Sequence, residues 1–352
     1  MATQPSPTKL AQWLMQASKA GQRGFTLLEL LVAMIIGSMI MGSLLFLVVE
    51  LMQVNRREEV LTQTQQDMQR AINYISSDAR EAVFVYSTPM AIVDPEAGGT
   101  DTLVSELGIT VDASGVVTAP AALAGATPIL AFWRLDPIPA GNGIWAKDCT
   151  KAFSGAKTDE CNTLQLRQNF YTLVVYFQRP NQAGGFWGGP SSILRYELPK
   201  YNASDIATLT QRQGYSDPTG CNSFENWSAP PGRDAADPCD AANTGAPTIN
   251  PVVLTDYVNL ANLTPDPICT GVSTPSAADA RGFMACVNSG VAAAGEPGAN
   301  QTLRIFLQGN ATEGRPGLIT TFSDAGNLPT LEAEVLVRGV LNKQPLGVNA
   351  TP

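Results

Sequence analysis

Of the side chains that most often perform acid–base and nucleophilic chemistry, serine, lysine and aspartate are abundant in this sequence, but histidine is missing. The 352-residue chain contains no histidine. This excludes Ser-His-Asp and Cys-His nucleophile arrangements, histidine general bases and histidine-ligated zinc. Serine and lysine are present, but neither lies in a G-x-S-x-G, S-x-x-K or phosphate-loop context. The sequence therefore predicts that the protein is not an enzyme, and that it holds neither a cofactor nor a metal ion.

The six cysteines are the next candidates for chemistry. They are Cys149, Cys161, Cys221, Cys239, Cys269 and Cys286. No two of them form a C-x-x-C pair, so zinc-ribbon and thioredoxin-like interpretations lack their required spacing. An even number of cysteines in an exported chain favours disulfides, whereas free buried thiols would be the alternative in the cytosol. Because short loops close at the lowest entropic cost, we expect neighbours to pair: Cys149–Cys161, Cys221–Cys239 and Cys269–Cys286.

Two further groups of residues have both a functional and a structural interpretation. Asp234, Asp237 and Asp240 could supply oxygen ligands to calcium, but they lack the glycine and glutamate of an EF-hand loop. We expect these carboxylates to be solvated. Phe186 and Trp187, in a glycine-rich loop, could form an adhesive or carbohydrate-binding surface together with other tryptophans, but packing in a core or an interface is the favoured prediction.

The overall composition limits the class of partner. With 22 Lys and Arg against 31 Asp and Glu, the formal net charge is −9. This acidic balance argues against broad nucleic-acid binding, which needs a clustered positive surface. The 31 Gly and 25 Pro residues indicate a chain rich in loops.

One carboxylate stands in an unusual place near the N-terminus. Glu29 immediately precedes 20 residues without a charge, from Leu30 to Val49. A helix of that length spans roughly 30 Å, the thickness of the hydrocarbon core of a bilayer. A carboxylate beside such a run costs on the order of 2–3 kcal/mol unless it is paired. Basic residues precede the run, at Lys9, Lys19 and Arg23. They favour a cytoplasmic N-terminus with the rest of the chain outside the cytoplasm.

The segment Arg23-Gly24-Phe25-Thr26-Leu27-Leu28-Glu29-Leu30-Leu31-Val32 resembles the leader and mature start of type IV pilins and type II secretion pseudopilins. In that family, a prepilin peptidase cuts after the glycine and methylates the new N-terminal phenylalanine. The resemblance implies a leader over residues 1–24, cleavage between Gly24 and Phe25, and N-methylation of Phe25. It also makes Glu29 the fifth residue of the mature chain, where it would pair with the terminal amine of a neighbouring subunit.

The elements that carry this segment are predicted to be helical. Residues 25–52 form a transmembrane or filament-core helix, and residues 53–87 continue it as an amphipathic helix that ends near Val85. In the second part, apolar residues recur at helical spacing. They are Leu61, Met68, Ile72, Ile75, Ala79 and Val83. The polar residues, Asp78 among them, are assigned mainly to the other sides of the helix.

Residues 88–352 are predicted to form a β-rich head, giving an α+β chain whose long N-terminal helix packs on an antiparallel sheet. The candidate strands are Ile129–Arg134, Leu164–Phe177, Ile193–Leu198, Pro251–Leu254, Leu303–Leu307 and Leu331–Val340. Two of them flank the glycine-rich loop around Phe186, which suggests a hairpin. Residues of about 200–300 are interpreted as a cysteine-containing loop insertion without a core of its own, with Ser216–Thr248 as its longest loop.

This order of elements resembles the pilin fold, and the length of the chain favours a low-copy minor subunit. Met68–Ile72, Asp78–Arg80 and Leu194–Tyr196 also resemble PilW-type minor pilins and J-type minor pseudopilins. The resemblance implies a minor pilin that supports filament assembly, first in the inner membrane and then in the extracellular pilus. Its partners would be prepilin peptidase and other major and minor pilins, which it contacts through the N-terminal helix. A minor pseudopilin of a type II secretion system is the alternative, and an adhesin or DNA-uptake receptor at the pilus tip is a third possibility.

Overall fold

The computed structural model describes the chain from residue 25 to residue 337, with gaps. The described ranges are 25–93, 101–141, 143–182, 184–219, 224–225, 227, 246–261, 269, 271–275, 281–289, 301–310 and 328–337. The chain divides into two units, one up to Glu58 and one from Glu59 onward.

Helix α1 runs from Leu27 to Arg80, a length of 54 residues. Thr26 begins it, because its hydroxyl and its carbonyl both accept hydrogen bonds from the backbone N–H of Glu29, at 3.3 and 3.0 Å. The predicted helix end near Val85 was wrong. Strand β1 covers Ala82–Val85 instead. This β-prone segment pairs with a neighbouring strand and buries Phe84 and Val85, which the last helical turns would not do.

The first sheet has five antiparallel strands in the order β1–β4–β5–β6–β7. Its longer strands are β4 (Thr127–Pro137), β5 (Asn169–Pro180), β6 (Ser191–Pro199) and β7 (Val252–Val258). The predicted hairpin is the β5–β6 pair, in which Phe177 lies opposite Leu194. The glycine-rich loop around Phe186 joins these two strands.

The second sheet has four antiparallel strands in the order β11–β10–β9–β8. They are β8 (Val272–Thr274), β9 (Phe283–Ser289), β10 (Gln301–Gln308) and β11 (Thr330–Leu336). The smaller elements are a two-stranded ribbon, β2 (Thr110–Val111) with β3 (Val117–Ala119), and the helices α2 (Leu103–Glu106), α3 (Cys149–Ala152) and α4 (Ala156–Arg167). The α+β prediction is confirmed, and the architecture is consistent with a pilin-like fold.

Hydrophobic cores cover both faces of the first sheet, because successive side chains of a strand point to opposite sides. On one face, Val174 and Tyr176 pack in a cluster with Ile72 and Ile75 of helix α1 and with residues of the second sheet. On the other face, alternate residues of β5 join a cluster that contains Trp133 and Trp227. Strands β4 and β5 are therefore buried on both sides and form the centre of the head.

Two parts of the predicted head differ from the structure. The candidate strand Leu164–Phe177 is helical up to Arg167, and strand β5 begins only at Asn169. Gln168 separates the two elements and has a left-handed backbone, with φ +63°. The region of about 200–300 is more than a loop insertion, since it supplies β7, β8 and β9 to the two sheets. It also supplies Tyr215 and Trp227 to the core, because a few large apolar residues suffice when distant strands complete the cluster.

Candidate assembly surface

The most apolar surface of the described chain is the first part of helix α1. Every large apolar side chain from Phe25 to Val54 is exposed, with values from 45% for Val32 to 85% for Leu27. By length and composition this helix could cross a membrane. Large continuous apolar surfaces are typical of sites that bind protein or lipid. This surface therefore has the properties that a membrane anchor or a filament core requires.

Glu29 lies at the start of that surface, in the first turn of the helix. Its backbone is fixed by Thr26, as described above, and its side chain is exposed among leucines. A carboxylate near a helix N-terminus is favoured by the unpaired N–H groups there. Phe25 precedes the helix and is 79% exposed. Gly24, the other residue of the predicted cleavage site, lies outside the described residues.

The second part of helix α1 carries a charged residue into the core. Asp78 is 5% exposed, and its carboxylate accepts hydrogen bonds from Arg134 of β4 and from Arg195 of β6, at 2.8 Å for Arg195 Nε. The hydroxyl of Tyr176 donates to the same carboxylate at 2.6 Å. Glu197 also accepts from both arginines. This cluster ties the end of the helix to the centre of the first sheet.

The surroundings of the Asp78 cluster shift the pKa values of its two arginines and its tyrosine. Burial disfavours the Arg134 guanidinium, but hydrogen bonds and charge from Asp136 and Asp78 outweigh that effect and raise its pKa. The pKa of Arg195 rises for the same reason, with Asp78 the main partner. The pKa of the Tyr176 phenol is raised first by burial and then by the negative charge of Asp78. The two guanidinium groups are therefore held in their charged form, and the Tyr176 phenol is held in its neutral form.

Sequence reasoning missed the Asp78 cluster. The helical pattern assigned Asp78 mainly to the polar sides, whereas the structure buries it beside Ile75 and Ala79. A signal was available, because Asp78 follows Ile75 by three residues and such neighbours share a helix face.

A second buried ion cluster lies where the chain leaves β6. Lys200 Nζ is 2.5 Å from a carboxylate oxygen of Glu160 and 2.6 Å from one of Asp217. Burial lowers the pKa of Lys200, but the two carboxylates outweigh it and the net pKa is raised. Burial raises the pKa of Asp217, but the charge of Lys200 and hydrogen bonds outweigh it and the net pKa is lowered. Both groups are held in their charged forms.

Four of the six cysteines lie in the described residues, and they form two disulfides. Cys149 is joined to Cys161, and Cys269 is joined to Cys286. These are two of the three expected pairs. Cys221 and Cys239, the third pair, lie outside the described residues. The first disulfide joins α3 to α4 within a small apolar cluster, and the second joins the segment before β8 to β9.

The aromatic residues named in the sequence analysis fall into a buried group and an exposed group. Trp133 and Trp227 are fully buried and stack edge to face, with ring centres 5.4 Å apart. Phe186 and Trp187 instead lie at the surface of the chain, 93% and 39% exposed, so packing in the core is excluded for this pair, and packing in an interface stays a prediction. Trp145 is 40% exposed.

The described residues contain no group of three or more side chains suited to holding a metal ion. The calcium alternative at Asp234, Asp237 and Asp240 falls on residues outside that description.

Comparison with known proteins points to the same N-terminal segment. Residues 19–45 match the prokaryotic N-terminal methylation motif. No curated protein and no solved structure matches the chain. The matched residues include Phe25, Glu29 and about two thirds of the exposed apolar side chains, so the motif and the geometry describe one site.

Proposed function

We propose that this chain, which carries a prepilin-type methylation motif typical of type IV pilins and pseudopilins, is a minor pilin of a type IV pilus. The observation that supports the proposal most strongly is the exposed apolar surface of Phe25–Val54, which contains Glu29 and overlaps the motif over residues 25–45. Such a surface is stable in a lipid bilayer or against the apolar helices of other pilins, but not in water. The role is structural, and no catalytic residue takes part in it.

Prepilin peptidase would prepare this surface by cutting the Gly24–Phe25 bond and methylating the new amine of Phe25. The matured helix would then pass from the inner membrane into the filament together with the helices of other pilins. There, the Glu29 carboxylate would pair with the amine of a neighbouring subunit. Both charges cost free energy in an apolar environment unless they are paired, so the pairing favours one register of the helices.

The orientation and location follow from the charges around the helix. Lys9, Lys19 and Arg23 precede the apolar run, and basic residues are retained on the cytoplasmic side. The head would therefore stand outside the cytoplasm, where disulfides such as Cys149–Cys161 persist. After assembly, the head would be displayed on the pilus.

The first test is coexpression of the full chain with a prepilin peptidase, followed by intact-mass measurement. We expect loss of residues 1–24 and the addition of one methyl group to the chain that begins at Phe25. A Gly24→Val variant is the control and should stay uncut. An uncut wild-type chain, or a cut elsewhere, would contradict the proposal.

A second measurement separates the pilus from the alternative, a J-type minor pseudopilin of a type II secretion system. Both proteins would be cut in the same way. We expect the tagged chain to cofractionate with sheared pili and its deletion to reduce piliation. Loss of protein secretion with normal piliation would instead indicate the pseudopilin.

A further inference from the structure

A groove with a volume of about 420 Å³ lies in the head between helix α1, the β5–β6 loop and strand β7. Tyr74 of the helix and Trp187 of the loop line it, and both rings are partly exposed, at 46% and 39%. Volumes of this size are typical of sites for small ligands. The groove combines two aromatic rings with charged groups of both signs.

The loop that carries Trp187 is held firmly by hydrogen bonds. The backbone N–H of Gly188 donates to the Asp256 carboxylate at 3.0 Å. The side-chain amide of Asn181 donates to the carbonyl groups of Gly188 and Gly189, at 2.6 and 3.2 Å. The two glycines are therefore tied both to strand β7 and to the end of β5.

Close packing against Tyr257 fixes the same loop. A Cβ atom at Gly188 would overlap the Tyr257 hydroxyl oxygen, and one at Gly189 would lie 2.6 Å from the Tyr257 Cα. Tyr257 has a left-handed backbone with φ +56°, which is uncommon for a bulky residue. A preformed loop loses less conformational entropy when a ligand binds. The exposed Trp187 ring is thus presented on a rigid support.

The charges of the groove restrict the ligand class. Asp67 and Asp256 both line it, and their carboxylates disfavour phosphates and nucleic acids. A cationic ligand is disfavoured by the guanidinium of Arg70, which also lines the groove.

An apolar partner helix also fits this groove poorly, because it would bury the charged groups without hydrogen bonds. A neutral saccharide, by contrast, carries no charge and can form hydrogen bonds with the charged groups of the groove. The C–H face of a sugar ring can stack on an aromatic ring, since the ring face is electronegative. Its hydroxyl groups both donate and accept, so they can pair with carboxylates and with a guanidinium in one site.

We propose that this groove binds a neutral oligosaccharide, with one sugar ring on Trp187 and its hydroxyl groups bonded to Asp67, Arg70 and Asp256. The binding site lies on the head, so the inference does not depend on whether the filament is a pilus or a pseudopilus. It would give an assembled subunit a means of contacting glycans.

The test uses the full chain in a detergent without a sugar headgroup. The probes are cellotetraose, maltotetraose and tetraacetyl-chitotetraose, and binding is measured by saturation-transfer NMR and by titration of tryptophan fluorescence. We expect at least one probe to bind to the wild-type chain. Trp187→Ala should raise its Kd by about tenfold or more, because the stacking surface is lost. Trp187→Phe should recover part of that loss.

Trp145→Ala is the matched control, since Trp145 is equally exposed and does not line the groove. Its Kd should equal that of the wild type. Three results would overturn the proposal: no binding of any probe, equal binding by Trp187→Ala, or an equal loss in the control. If no probe binds and Trp187→Ala instead lowers incorporation into filaments, the groove is a contact between protein subunits.

Discussion

The two parts of helix α1 differ in the exposure of their apolar side chains. From Phe25 to Val54 every large apolar side chain of the described chain is exposed, whereas Met68, Ile72 and Ile75 are at most 2% exposed. The two parts have different periodicity. Apolar residues surround the first part on all sides, while the second part has one apolar face. The first part thus requires an environment supplied from outside the chain, and the second part requires only the head.

The carboxylates differ in the same way. Glu29 is exposed within an apolar surface, whereas Asp78 is buried with two arginines of the same chain. In our proposal, Glu29 finds its partner only in another subunit. The comparison therefore separates charges that stabilise the head from charges that direct assembly.

The largest effect is expected at Asp78. Asp78→Ala should lower the free energy of unfolding of the head by about 3–5 kcal/mol, since it removes the most deeply buried carboxylate of the cluster, which Arg134 and Arg195 share. The free energy of unfolding is measured by denaturing the full chain with guanidinium chloride and following the fluorescence of the buried Trp133 and Trp227. Asp67→Ala is the control on the same helix. Among the described residues, Asp67 forms its ion pair with the exposed Arg70, at 3.4 Å, so its removal should change stability by less than about 0.5 kcal/mol. Equal losses in both variants would contradict the assigned role.

A pair of substitutions at apolar residues tests the same difference between the exposed first part and the buried second part of helix α1. Ile75→Ala should cost about 2–5 kcal/mol of head stability, because Ile75 is fully buried between the sheets. Leu45→Ala, at a position that is 60% exposed, should leave the unfolding of the head unchanged. If Leu45→Ala destabilised the head as much as Ile75→Ala, the apolar surface would not be free for other subunits.

Glu29→Ala should reduce the incorporation of the chain into filaments and leave the stability of the head unchanged. An unpaired charge in an apolar environment costs on the order of 2–3 kcal/mol. Loss of the pairing should therefore reduce incorporation into filaments by about tenfold or more, while cleavage at Phe25 continues. Immunoblots of sheared filaments measure incorporation, with Glu58→Ala as the control. Incorporation of Glu29→Ala at the wild-type level would rule out the pairing.

The smallest expected effect is a loss of stability in acid. The pKa of Asp217 in the folded chain lies below its ordinary value of 3.8, so the unfolded chain binds the proton more readily. The stability from this group is complete above that value and is lost as the pH falls through the folded pKa. Asp217→Asn should flatten the decrease in unfolding temperature below about pH 4. An unchanged acid dependence in this variant would show that other groups cause the decrease.

Local patterns predicted much of this architecture. The start of helix α1, the β5–β6 hairpin and the strand that begins near Leu331 follow from short stretches of sequence, because each depends on neighbouring residues only. The end of α1 did not follow, since Ala82–Val85 can form a helix or a strand until β4 offers hydrogen bonds. Strand β9, Phe283–Ser289, was likewise not predicted, because the sequence around it was interpreted as a loop insertion. It forms a strand because its partners β8 and β10 lie on either side of it in the second sheet.

The candidate assembly surface was the most predictable part of the molecule. Its residues are contiguous, and the charge, length and apolarity that define it are all visible in one segment of sequence. The groove at Trp187 was the least predictable, because its lining comes from residues 67–74, 187 and 254–256. Sequence reasoning could name Phe186 and Trp187 as a possible surface, but it could not decide whether they would be buried.

The sequence alone determined the apolar N-terminal helix, its methylation motif and the isolated position of Glu29, since a contiguous segment of chain carries each of these features. It also excluded chemistry that requires histidine. Tertiary structure decided that Asp78 would be buried, that Trp133 and Trp227 would form a core and that Trp187 would border a groove. The physical reason is that burial and pairing depend on which distant segments meet, and that is set by the packing of the two sheets and helix α1.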